Sequence, residues 1–325
     1  MPRVFALVWI LVGSLLSFGC SPFGSMLARN VAALTHAPKM VSPKITAPKR
    51  DDARVAVLWV GHATTLIQID DKFILTDPVW TNAVGQLSPR LVEPGIALEH
   101  LPMIDVALIS HMHFDHLSVG SLDLLEPKVR ELLVPRGGTV YVPNYRFPVD
   151  EVARFETFVS NGLRVTAVPV QHVGFRYGAD AAWMKESFTG WVVEYHGLTV
   201  YFGGDTAYDR DAFLATALRF PRIDLAILPI APIKPRNFMR GTHVDPHEAL
   251  QAFLDLGASH MVPVHYDTFV NSEDRPGDAT KVLKEAMVAK NLGEDRIHIL
   301  PIGGQLKLFP KPVAAAPAYE TRTLE

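Results

Sequence analysis

Three histidines and an aspartate fall within six residues at His111-Met112-His113-Phe114-Asp115-His116. Imidazole nitrogen and carboxylate oxygen are the donors that Zn²⁺ and similar divalent ions accept where no thiolate is offered. The chain holds a single cysteine, Cys20, which excludes both a Cys-rich metal site and an intramolecular disulfide. Such a knot of polar rings makes a poor core segment, because buried imidazoles and carboxylates need partners. It follows directly on an apolar run, Ile104-Asp105-Val106-Ala107-Leu108-Ile109-Ser110, so a strand is expected to deliver it.

Three more donors repeat that arrangement. Val168-Pro169-Val170-Gln171 leads to His172, Val200-Tyr201-Phe202-Gly203-Gly204 leads to Asp205, and Val262-Pro263-Val264 leads to His265. A lone histidine at a strand end is more often hydrogen-bonded scaffold than ligand. Four strand ends with suitable donors reverse that reading and point to one shared metal site.

The elements that must position these residues are short and mostly of β type. Strands are expected over residues 55–60, 64–69, 73–76, 106–110, 139–142, 165–170, 190–195, 198–202, 225–230, 261–264 and 297–301. Helices are expected over 119–125, 149–159, 211–218, 246–256 and 279–291. A meander followed by strand-helix alternation, repeated in a second half, predicts an α/β fold. Its two sheets would lie face to face with helices outside, as a four-layer sandwich.

The order of H-x-H-x-D-H, a later His, G-G-D-T and a final His resembles the metallo-β-lactamase superfamily over nearly all of residues 55–309. Longer strings are similar to the branch of N-acyl-phosphatidylethanolamine-hydrolysing phospholipases D and their bacterial relatives. They are Trp59-Val60-Gly61-His62-Ala63-Thr64, Leu75-Thr76-Asp77-Pro78-Val79-Trp80, Pro229-Ile230, Pro235-Arg236-Asn237-Phe238-Met239, and His243-Val244-Asp245-Pro246 with Glu248-Ala249. The resemblance implies the αβ/βα sandwich of that superfamily and two divalent ions, with zinc expected. His111, His113 and His172 would hold the first ion, Asp115, His116 and His265 the second, and Asp205 would bridge them.

Two such ions sharing a water lower its pKa towards neutrality, and a phosphodiester would then be cleaved by attack on phosphorus. Asp115 would return a proton to the leaving oxygen. By the same resemblance His243 faces substrate and donates to a phosphoryl oxygen. Arg236 and Phe238 would contact a headgroup or acyl chain, with a packing role as the alternative, and His62 and Asp77 would support the ligands. The alternatives are a lactonase or another phosphoester hydrolase with the same ligands, and a non-catalytic envelope protein with a structural metal. Paired ligand sets argue against the last, since a structural zinc needs four closed ligands.

Composition and termini supply the context. Of 325 residues 48% are hydrophobic and 20% charged, enough to bury a large core. The formal net charge is −3 and no dense run of Lys or Arg tracks a phosphate backbone, which argues against a nucleic-acid partner. Residues 1–20 resemble a lipoprotein signal: Arg3, an apolar run over 4–16, then Ser17-Phe18-Gly19-Cys20. Ser17 stands where such signals usually carry leucine. The implied partners are the membrane, through acylated Cys20, and a phospholipid substrate, with the protein on the bacterial envelope; secretion is the alternative. A proline-rich tether is expected over 21–50, the hydrolase domain over 51–310 and a flexible tail over 311–325.

Overall fold

The computed structural model describes residues 22–85 and 88–311. The expected signal with Cys20, and residues 312–325 of the expected tail, lie outside the described residues. The chain opens with helix α1 (Pro22–Ala33) and continues as β1 (Ala53–Gly61), β2 (Thr64–Ile69) and β3 (Lys72–Thr76). A small hairpin follows, β4 (Ala83–Val84) with β5 (Ser88–Pro89), then β6 (Val106–Leu108), α2 (Val119–Leu125), β7 (Leu132–Pro135) and β8 (Val149–Val152). The second half contains β9 (Thr157–Ser160), β10 (Leu163–Val168), β11 (Gly190–Tyr195), β12 (Leu198–Phe202), α3 (Arg210–Arg219) and β13 (Leu225–Pro229). It ends with α4 (Arg236–Met239), α5 (Pro246–Asp255), β14 (His260–Val264), α6 (Asp278–Ala289) and β15 (Gln305–Pro310).

These strands form a seven-stranded sheet in the order β15-β1-β2-β3-β6-β7-β8 and a six-stranded sheet in the order β14-β13-β12-β11-β10-β9. Side chains alternate across a pleated strand, and β1 shows what that does here. Val55, Val57 and Trp59 join the core shared with Val165, Val193 and Phe202 of the second sheet. Leu58 and Val60 point the other way, into a separate core with Leu122 and Leu125 of α2. Phe213 of α3, Leu250 and Phe253 of α5 and Leu283 of α6 cover the outer face of the second sheet. The result is a metallo-β-lactamase-type sandwich of four layers, as the sequence implied. Local signals agree with it: Asp209 caps α3, and Asp245 with Glu248 forms a capping box on α5 behind Pro246.

Four segments differ from expectation. Residues 139–142 form a 3₁₀ turn (Gly138–Tyr141), and the strand of that region is the fully buried Leu-Leu-Val-Pro of β7. Residues 149–159 are not helical but split into β8 and β9, which belong to different sheets; Phe155, with φ of 64°, turns the chain between them. The apolar stretch 297–301 makes one bridge, Ile297 to Met261, and then leaves the sheet, while β15 completes the first sheet against β1. Nor is 21–50 a purely extended tether. It begins with α1, whose Arg29 donates to the Ser272 and Asp274 carbonyls at 2.8 and 2.6 Å and whose Asn30 donates to that of Val270.

Candidate metal centre

The ligand-type residues converge because both sheets end on the same edge. Ser110 to His116 leave β6, His172 follows β10, Asp205 follows β12 and His265 follows β14. Their turns are tight. His62, Asp77 and His265 hold φ of 55°, 33° and 70°, a costly conformation for non-glycine residues that concentrates at functional sites. Gly204 also has positive φ, and a Cβ there would sit 2.3 Å from that of Ser110. Only glycine therefore lets the Asp205 turn approach the histidine loop.

Three groups offer atoms close enough to share an ion. His111, His113 and His172 form one, His62, Asp115, His116 and His265 another, and Asp205 groups with His111 and His116, one from each. Several rings have one nitrogen already committed. The Nδ1–H groups of His172 and His265 donate to the carbonyls of Thr242 and Ala231 at 2.8 and 3.0 Å, and that of His116 donates to Asp77 at 2.6 Å. Each ring thereby turns its Nε2 into the cluster, the orientation that outer partners impose on metal-binding histidines.

That arrangement is unfavourable without a cation. His116 Nε2 faces His265 Nε2 at 3.3 Å, and His172 Nε2 and Asp205 Oδ1 find no hydrogen-bond partner among the described residues. A buried polar atom left so costs about 1–3 kcal/mol. Divalent ions held by His111, His113 and His172 on one side, and by Asp115, His116 and His265 on the other, with Asp205 between, would satisfy these atoms.

The charge field supports the same conclusion. Burial pushes the pKa values of His111, His113 and His172 down, so these rings are neutral, the form in which an imidazole binds a metal. Burial also opposes charge on Asp115 and Asp205, yet the neighbouring imidazoles hold both carboxyls well below the usual range. For His116 burial is outweighed by Asp205, Asp115 and Asp77, which raise its pKa well above the ordinary value. Positive charge is thus favoured where the nitrogens meet.

Two of the expected supports are in place. His62 Nε2 lies 2.9 Å from Asp115 Oδ2. Asp77 accepts from Ser110 N and Oγ as well as His116, each at 2.6 Å. His243 lies at the cluster: its Nδ1 is 3.5 Å from Asp205 Oδ2, its ring is 5.2 Å from that of His172, and burial lowers its pKa to about 4.

Arg236 and Phe238 both lie on α4 (Arg236–Met239), just before His243. The Arg236 guanidinium is engaged by the His243 carbonyl, Glu248 and Asp245, so it braces the His243 turn. Phe238 is 77% exposed. Sequence reasoning missed Arg176, a buried residue whose Nη1 donates to the Met112 and Leu117 carbonyls at 2.8 Å each and fixes the ligand loop. A single arginine in a loop carries no local signal for that role.

The Beta-lactamase superfamily domain matches residues 72–266, a span containing all seven candidate ligands. An uncharacterised protein of Mycobacterium tuberculosis is 33% identical over 258 residues, covering 75% of this chain and 67% of that one. The N-acyl-phosphatidylethanolamine-hydrolyzing phospholipase D 1 of Caenorhabditis elegans is 31% identical over 228 residues, 65% of this chain; the match spans 63% of the worm protein's length. Among solved structures, a metallo hydrolase from Ignicoccus hospitalis superposes with a TM-score of 0.57 at 17% identity, covering 78% of this chain and 98% of that one.

Proposed function

This chain belongs to the beta-lactamase superfamily, as a metal-dependent hydrolase, and from that premise we propose that it is a two-metal phosphodiesterase of the phospholipase D type. Its substrate on this reading is a glycerophospholipid such as N-acyl-phosphatidylethanolamine, cleaved between phosphorus and the headgroup oxygen. The observation that carries the reading is His243. It stands outside the ligand sets, yet it is buried beside them with an Nδ1 that has no hydrogen-bond partner among the described residues. It lies in the string His243-Val244-Asp245-Pro246 that is similar to the phospholipase D branch, and the resemblance to the worm enzyme supports the same substrate class.

Two divalent ions, zinc on this proposal, would polarise the phosphoryl oxygens and lower the pKa of water between them. The chain's own residues do the rest. Asp115, ionised and hydrogen-bonded to His62, would orient that water, whose proton would pass by way of the carboxylate to the departing headgroup oxygen. His243, whose pKa of about 4 keeps it neutral at physiological pH, donates an N–H to the phosphoryl oxygen that gains charge. Arg236 holds the His243 carbonyl at 2.8 Å and so keeps the ring in place. A lipid anchor on Cys20 would hold the protein at the envelope membrane beside its substrate. The test is product identification by mass spectrometry after incubating purified protein with vesicles containing N-acyl-phosphatidylethanolamine. Phosphatidic acid and N-acylethanolamine are expected, whereas turnover only of lactones or other phosphoesters would move the protein to the alternative class.

A further inference from the structure

The stretch 297–301 leaves the second sheet after Ile297, and its residues 299–301 line a groove of about 700 Å³ whose lining includes none of the seven candidate ligands. Its size falls within the range of small-molecule sites, ~300–1,000 Å³. Val41, Ile299 and Ile302 supply half-buried apolar wall above the buried rings of Trp59 and Tyr266, and Lys39 and Lys284 line it from separate segments. Neither lysine has an ion-pair partner among the described residues, while the one lining carboxylate, Asp267, already accepts from Gly277 N at 3.0 and 3.1 Å.

We propose that this groove binds an amphiphilic anion, an alkyl chain ending in a carboxylate or phosphate. The chain lies against Val41, Ile299 and Ile302, over the buried rings of Trp59 and Tyr266, and the head is held by Lys39 and Lys284. The pairing of apolar wall with two lysines against a single lining carboxylate, Asp267, selects such a ligand over a cationic amphiphile. The site is also coupled to the metal centre by contact. Tyr266 follows the candidate ligand His265 and packs at a tilt against Trp59, with ring centroids 4.5 Å apart. Trp59 Nε1 donates to the His62 carbonyl at 2.9 Å, and His265 N donates to the same oxygen at 3.0 Å. These contacts join the groove to His62 and to the candidate ligand His265.

The experiment uses the metal-loaded full chain with diazirine-bearing dodecanoate, followed by peptide mapping of the crosslinks. Labelling is expected in 39–43 and 299–304, competed by dodecanoate and by dodecyl phosphate but not by dodecyltrimethylammonium. Competition by only one of the two anions identifies the head group. Lys39 and Lys284 are at the surface, so Lys39→Glu with Lys284→Glu leaves the fold intact and should weaken dodecanoate binding roughly tenfold, the scale of two rim charges reversed. Labelling confined to the metal-centre loops, equal competition by the cation, or affinity unchanged in the double variant would overturn the proposal.

Discussion

Replacing Asp77 with asparagine tests the metal centre without removing any ligand. Asp77 is fully buried and receives three donors at 2.6 Å: Ser110 N, Ser110 Oγ and His116 Nδ1. The amide side chain is isosteric and retains one oxygen for Ser110 N, and the serine hydroxyl can rotate to accept. The His116 side cannot adjust so easily. An amide NH₂ facing Nδ1–H leaves a buried donor unsatisfied at a cost of ~1–3 kcal/mol, unless the imidazole moves its proton to Nε2. That nitrogen faces Asp205 at 3.2 Å and His265 at 3.3 Å, so the escape removes a metal-binding lone pair. Loss of such outer support costs on the order of 10–100-fold in metal affinity.

His111, His113 and His172 do not depend on Asp77 for their orientation in the same way. Asp77→Asn should therefore keep about one equivalent of metal and release the second to a chelator some 10–100-fold more readily. Metal content by plasma mass spectrometry, with chelator competition, reads this directly. Both equivalents held at wild-type affinity would refute the tautomer argument.

Three further expectations concern other parts of the molecule. His243→Ala should retain metal and lower kcat on a phosphodiester by about 10²–10³ with a smaller change in KM; loss of metal would make His243 a ligand, and full activity would make it scaffold. Burial and the neighbouring Asp150 push the Glu131 carboxyl up to about 7, above its unfolded value, so the folded state binds the extra proton and loses stability as pH rises from the ordinary carboxyl range through 7. Glu131→Gln should thus raise Tm relative to wild type at pH 8 and lose that advantage near pH 4.5, and an equal effect at both values would contradict the linkage. Cells producing the full chain should incorporate labelled fatty acid at Cys20, and Cys20→Ser should abolish both labelling and membrane fractionation; if neither changes, the anchor assignment fails.

The central strands of the two sheets were the most legible in the sequence. β2, β11 and β12 coincide with the expected strands at both ends, because each is rich in β-branched or aromatic residues, bounded by turn residues and largely buried. The errors lie where two periodicities fit the same residues. Residues 149–159 contain Val149, Val152, Thr157 and Val159, β-branched positions whose spacing also suits one face of a helix, and partners in two different sheets decide the matter. The stretch 297–301 is as apolar as a strand but packs as groove wall, which depends on β14 having only one bridge to offer it. In the centre, donor types and strand ends pointed to seven candidate ligands, and the structure brings their side chains together. The bracing by Arg176, Thr242 O and Ala231 O was invisible, since backbone carbonyls leave no mark in composition and these contacts join distant segments.

The most direct test of the account is hydrolysis of N-acyl-phosphatidylethanolamine in H₂¹⁸O by the metal-loaded protein. Attack on phosphorus forms a bond from water oxygen to phosphorus and breaks the bond from phosphorus to the headgroup oxygen. The account predicts one ¹⁸O in the phosphatidic acid and none in the N-acylethanolamine. Label in the alcohol, or water incorporation only into a released fatty acid, would contradict it.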